Sequence, residues 1–215
     1  MGGIPDDAIR FYADLGKDNS REFWAANKQR YEDSVRLPFE ALLGALAGEF
    51  GEGRSFRPYR DVRFTPDKRP YKEHQGGFVQ TADGIGWYLQ LSANGLMTGG
   101  GFHHSGPDQV TRYRSAVDAD DTGAELVGIV EKLEKAKFEL GGEELKTKPR
   151  GFADDHPRLD LLRHKSLTVG REYGVPSWLS TSRVVTKVRD DWRAIRPLIE
   201  WITTNVGPAT EVRRR

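Results

Sequence analysis

Residues 78–98 read Phe-Val-Gln-Thr-Ala-Asp-Gly-Ile-Gly-Trp-Tyr-Leu-Gln-Leu-Ser-Ala-Asn-Gly-Leu-Met-Thr, and their period decides the fold. Trp87, Leu89 and Leu91 alternate with Tyr88 and Gln90, the two-residue repeat of a half-buried strand. Asn94-Gly95 is a strong hairpin signal because both residues tolerate positive φ, so residues 96–98 are expected to return antiparallel. Residues 78–80 read as a further strand. The three glycines 99–101 then follow the returning strand.

Outward from this sheet the period becomes helical. Asn19 and Glu22 fit a capping box, after which Trp24, Lys28, Tyr31 and Val35 keep helical spacing. Pro38 should kink or restart the helix near Leu37. Phe39, Leu42, Leu43, Leu46 and Phe50 continue an apolar face that Gly51 and Gly53 end. On the other side, Pro107 suits the first turn of a helix. A second helix over 121–135 carries Leu126, Ile129, Val130 and Leu133 on one face. Gly141-Gly142 suggests a turn between brief strands or extended pieces, residues 157–163 a short helix, and residues 166–173 an extended segment. Val184, Val188, Trp192, Ile195, Ile199, Ile202 and Val206 mark a last helix, which Pro197 should kink, and residues 213–215 a solvated tail.

Helices flanking an antiparallel β-meander at both termini define an α+β class. No linker or repeat divides the chain, so a single domain is expected over 1–215. Its parts are a helical N-terminal region (1–53), a basic loop with a β-hairpin (54–105), helices and short strands (106–178) and a C-terminal helix (179–209).

Bulk properties remove whole classes of function. The 215 residues contain no cysteine, which excludes disulfides, thiolate zinc sites, iron–sulfur clusters and a cysteine nucleophile. The charge is balanced, with 33 basic against 32 acidic residues, so no global field draws the chain to nucleic acid or an anionic membrane. Neither a secretory leader nor a membrane span can be read in the sequence, and the expected location is cytoplasmic.

The charge is instead local. Between 54 and 74, Arg54, Arg57, Arg60, Arg63, Lys68, Arg69 and Lys72 face only Asp61, Asp67 and Glu73. Arg57, Arg60 and Arg63 recur every third residue among Phe56, Tyr59 and Phe64. A guanidinium grips phosphate or carboxylate oxygens two at a time, as an ammonium cannot. Pro58, Pro66 and Pro70 stiffen the segment and reduce the entropy lost on binding. The competing reading is structural, with Arg60, Arg63 and Asp61 tied to Glu22, Glu32 or Asp33 as fold-locking pairs.

The same stretch carries a resemblance. Arg57, Tyr59, Arg60, Asp61, Arg63, Phe64, Asp67, Lys68, Tyr71, Lys72 and His74 fall in a run similar to that of the family called domain of unknown function 2461. The likeness covers nearly the whole chain. It takes in Asn19, Arg21, Glu22, Asn27, Lys28 and Tyr31 upstream. Downstream it takes in the three glycines, Gly151-Phe152, Asp155-His156-Pro157, Leu161-Leu162 and His164-Lys165-Ser166. Phe23-Trp24 stands where the order Trp-Phe is usual, and His103-His104 replaces apolar or Tyr-like residues. The resemblance brings no reaction with it.

Other chemistry is sparser. His164-Lys165-Ser166 combines an imidazole, a cation and a hydroxyl, but adjacent residues face different ways, and a hydrogen-bonding role within the fold competes for both His164 and His156. The three glycines ahead of a helix could present N–H groups to a phosphate, or could mark a close backbone approach. Five histidines without metal-ligand spacing predict no metal, and no cofactor is expected.

The sequence thus points to a domain binding a small phosphate- or carboxylate-bearing ligand. The candidate binding residues are Arg57, Tyr59, Arg60, Asp61, Arg63, Lys68, Lys72 and Lys165. If there is a reaction, His164, His74 and Tyr71 are the candidates for proton transfer. The alternative is a non-catalytic module docking an acidic protein surface or nucleic acid. Long nucleic acid is disfavoured, since one short patch on a neutral chain holds it weakly at physiological salt. A membrane partner is not expected, and the sequence does not specify an oligomeric state.

Overall fold

The computed structural model describes residues 2–63, 66–103 and 106–209. In chain order the elements are α1 (Asp6–Lys17), α2 (Arg21–Tyr31), a π-helical segment (Glu32–Arg36), α3 (Leu37–Phe50), β1 (Gly53–Ser55), β2 (His74–Ala82), β3 (Ile85–Ser92) and β4 (Gly95–Phe102). Then follow α4 (Pro107–Asp118), α5 (Asp120–Lys135), β5 (Glu139–Gly141), α6 (Leu159–Arg163), β6 (Leu167–Gly174) and α7 (Arg183–Asn205). The six strands form one antiparallel sheet in the order β1-β2-β3-β4-β6-β5, giving the α+β class that the sequence predicts. The expected meander is β2-β3-β4, and β6 joins it beside β4. No helix among the described residues is long and apolar enough to cross a membrane.

The chain divides into two compact units, each assembled from three separate stretches. The first comprises Met1–Val79, Tyr88–Thr98 and Glu172–Asp190. Its core is built on Phe11, Leu15, Trp24, Val35, Phe39, Leu42 and Leu46 from the helices, with Leu89, Leu91 and Leu96 from the sheet. The hairpin residue Gly95 has φ 105°, and a Cβ there would lie 1.7 Å from the Gly174 carbonyl oxygen, so glycine is required twice over.

The helix starts show how the local code was read. Ser20, not Asn19, caps α2, its hydroxyl accepting from the Phe23 N–H at 3.0 Å. The capping box expected from Asn19 and Glu22 is therefore one residue out of register. The restart expected at Pro38 takes the form of the π-helical segment, after which α3 begins with proline in its first turn, where no N–H is needed.

The second unit comprises Gln80–Trp87, Gly99–Arg171 and Asp191–Arg215. Phe102, Tyr113, Val117, Leu126, Leu133, Leu162, Trp192, Ile195 and Ile202 form its core, and the Tyr113 hydroxyl donates to the Leu161 carbonyl at 2.8 Å. Ile129 stays only half-buried, unlike its predicted companions on α5. The helix expected from Val184 onward is continuous through Pro197. The three glycines are a correction: they lie within β4, not in a loop after it. A Cβ at Gly101 would stand 2.2 Å from the Leu167 carbonyl oxygen, so close strand approach accounts for it and the phosphate-cradle reading lapses. His104 and the 213–215 tail lie outside the described residues, as does Phe64.

Candidate functional site

Within the first unit, the basic loop is held at two points. The isolated antiparallel bridge Tyr59↔Tyr71 is flanked by hydrogen bonds from Arg60 N–H to the Pro70 carbonyl (2.9 Å) and from Lys72 N–H to the Pro58 carbonyl (2.8 Å). The second hold comes from Asn19. Its side-chain amide accepts from the Tyr71 N–H and donates to the Tyr71 carbonyl, both at 3.1 Å, acting as one extra strand residue.

The bridged tyrosines face an aromatic cluster. Tyr71 is buried and stacks on Trp24, with centroids 4.2 Å apart and planes within 8°. Tyr59 lies 5.5 Å from Tyr71 and 6.1 Å from Trp24, yet is 49% exposed. Burial, followed by the neighbouring Tyr59, pushes the Tyr71 phenol up from its ordinary range, so it holds its proton. The Trp24 indole N–H is buried and has no acceptor among the described residues. Beneath the loop, the Tyr31 hydroxyl donates to Gln75 Oε1 at 2.6 Å, and Gln75 Nε2 donates to the Phe56 carbonyl at 2.8 Å.

Neighbours of a bridge residue point to the face opposite it, which sends Arg60 and Lys72 away from the tyrosines together. There the cations are poorly matched. Arg60 Nη1 meets Asp67 Oδ2 at 2.5 Å, but its Nε is buried without an acceptor among the described residues. Asp67 is itself shared, since Arg69 Nη2 reaches the same oxygen at 2.7 Å. Lys72 and the exposed Arg57 make no ion pair among the described residues. The Lys72 ammonium instead lies 5.6 Å from the centre of the Phe56 ring.

The fields of these groups are felt locally. Burial, then Arg57 and Arg60, lower the Lys72 ammonium from its usual range. His74 is lowered by burial, then by Lys72 and Arg60, with Glu73 opposing. It is therefore neutral at pH 7 and able to accept a proton.

The rest of the ladder is engaged internally. Arg63 forks onto Asp61 at 3.0 and 2.7 Å, and Asp61 also accepts the Arg63 N–H; the Arg63 guanidinium, then that N–H, hold the carboxyl down at about 2. Lys68 Nζ donates to the Val62 carbonyl at 2.9 Å. In place of the competing pairing with Glu22, Glu32 or Asp33, the ion pairs seen among the described residues join Arg60 to Asp67 and Arg63 to Asp61 within the loop. Short-range turns reach these partners before distant helices can.

His164, Lys165 and Ser166 belong to the second unit. His164 is 3% exposed, with Nε2 3.4 Å from Glu144 Oε1 and Nδ1 3.2 Å from the Ser166 carbonyl. Burial lowers its pKa, against the pull of Glu144. Lys165 Nζ meets Glu143 Oε1 at 2.5 Å, and the Ser166 hydroxyl accepts the Glu143 N–H at 2.8 Å. The triplet thus fastens the segment around Glu143 and Glu144. His156 takes a hydrogen bond from the Arg158 N–H and lies 3.1 Å from Asp118 Oδ1, a bonding role within the fold.

Trp24 and Asn19 are the residues that motif reading undervalued. Trp24 was hidden in an apolar stripe, and Asn19 imitated a helix cap one residue early. Among the described residues, no group of histidines and carboxylates could hold a metal.

The model of a family of conserved hypothetical proteins, DUF2461, matches residues 7–201. The chain belongs to this family. The match covers both units' main elements and every residue of the basic loop, so the family extends well beyond one motif. No curated protein matches the chain.

Proposed function

We propose that the first unit binds a small anion, phosphate or carboxylate, between Arg57, Arg60 and Lys72, with His74 beside them. One observation carries this reading: Arg57 and Arg60 stand close enough to Lys72 to add to burial in lowering its ammonium, while Arg57 and Lys72 have no carboxylate partner among the described residues. Confining like charges costs free energy that an anion would return. The buried Arg60 Nε, without an acceptor among the described residues, is a further donor for such an anion.

Thermal melting with sulfate, inorganic phosphate and carboxylate- or phosphate-bearing metabolites tests it. An anion at one hundred times its Kd stabilises the fold by about 2.7 kcal/mol. The shift should appear in the wild type and vanish in Arg60→Ala and Lys72→Met. Equal shifts in all three proteins would remove these residues from the site.

A second reading, docking onto an acidic protein surface, is favoured by the exposure of the Arg63 (74%) and Arg69 (48%) side chains. It calls for contacts on the outer arginines and strong weakening by salt.

A further inference from the structure

Lys72 shares with the exposed Arg57 the lack of an ion pair among the described residues, but it is half-buried and lies against an aromatic ring. Arg60, Arg63 and Arg69 each meet a carboxylate within 2.7 Å, and Lys68 meets a carbonyl. Lys72 meets an aromatic face. Its backbone is fixed by the Pro58 carbonyl, so the side chain issues from a rigid point beside the bridge. Arg57 and Arg60 lie near enough to repel its charge, and His74 near enough to feel it. A lysine that is partly desolvated, next to other cations and without a carboxylate partner among the described residues is one whose neutral amine is accessible, the condition for nucleophilic amine catalysis.

We propose that Lys72 is an imine-forming amine whose carbonyl substrate carries its own anionic group, as in a 2-oxo acid or a phosphorylated aldehyde. This rests on the anion-site reading for the substrate's charge, and on the setting of Lys72 for the chemistry. The Nζ lone pair attacks the carbonyl carbon, forming a C–N bond as the carbonyl π bond breaks. His74, neutral at pH 7, relays the two amine protons one after the other from nitrogen to the oxygen, the first giving the carbinolamine and the second letting the oxygen leave as water. Amine plus carbonyl gives imine plus water, with no change of oxidation state. Arg57 and Arg60 hold the anionic group of the same molecule.

Reductive trapping on the full chain tests this. The protein is treated at pH 7 with cyanoborohydride and either glyoxylate, which carries a carboxylate, or acetaldehyde, which does not. Peptide mapping then reads the label on each lysine relative to the others in the same sample. Lys72 should carry at least about ten times the median label with glyoxylate, and sulfate should suppress this excess. Arg60→Ala should lower it, and Lys72→Arg, which keeps the charge, should abolish the dominant site. With acetaldehyde Lys72 should still lead, by a smaller margin. Label spread evenly over the lysines with both probes would overturn the amine assignment. A Lys72 that leads equally with both, unprotected by sulfate, would overturn the anion reading and leave the amine.

Discussion

Two histidine-bearing segments of this chain solve opposite electrostatic problems. Around His164 every charge has found its opposite: the imidazole faces Glu144 and Lys165 meets Glu143. Around His74 the cations outnumber their partners, with Asp67 divided between Arg60 and Arg69, and Lys72 left to an aromatic ring. Burial lowers both imidazoles, but Glu144 pulls one back up while Lys72 and Arg60 drive the other further down. A matched cluster serves the fold; an unmatched one has a free-energy reason to take a ligand.

The comparison breaks most sharply at the buried rings. Trp24→Ala removes the surface on which Tyr71 stacks and should cost about 3–5 kcal/mol in urea unfolding. His164→Ala should cost about 2–3 kcal/mol, from the lost ring and the Ser166 carbonyl left bare, and should leave any sulfate-induced melting shift intact. Lys72→Met should do the reverse. Stability should hold or rise, since a repelled cation is gone, while sulfate affinity by calorimetry falls at least about tenfold, equivalent to about 1.4 kcal/mol.

Acid should separate the two roles of charge. Both imidazoles have folded pKa values below the ordinary 6.5, so the unfolded chain takes up protons that the folded one refuses. Stability should therefore decline as pH falls below 6.5 toward the folded values. Sulfate changes the sign at His74: the anion favours its charged form, so binding should tighten over the same fall. Titration calorimetry should show this in the wild type and lose it in His74→Gln. The smallest effect is expected of Asp67→Asn, which frees Arg60 from a competing carboxylate and should tighten sulfate binding a few-fold.

Much of this was legible in the sequence because the signals were local and periodic. The hairpin at Asn94-Gly95, the helix from Pro107 and the last helix from Val184 follow from turn chemistry and two- or 3.6-residue repeats, which neighbouring residues decide among themselves. What could not be read depended on distant partners. Gly99 and Gly101 resembled loop residues because the carbonyls that crowd them come from Val169 and Leu167 of β6, far along the chain. The arginine ladder looked uniform, and only the fold distinguishes Arg63, closed onto Asp61, from Arg57, which has no ion pair among the described residues. Asn19 was assigned to the helix beside it because the residue it serves lies 52 positions away.

That last separation has a kinetic consequence. The clamp of Asn19 on Tyr71 closes a long loop for two hydrogen bonds, so chain entropy opposes it until α1, α2 and the Trp24 cluster already stand in place. The basic loop is then among the last pieces of its unit to dock during refolding. A rapid-mixing experiment following Trp24 fluorescence should find Tyr71 stacking, and with it the capacity to bind sulfate, arriving after most helical signal has returned.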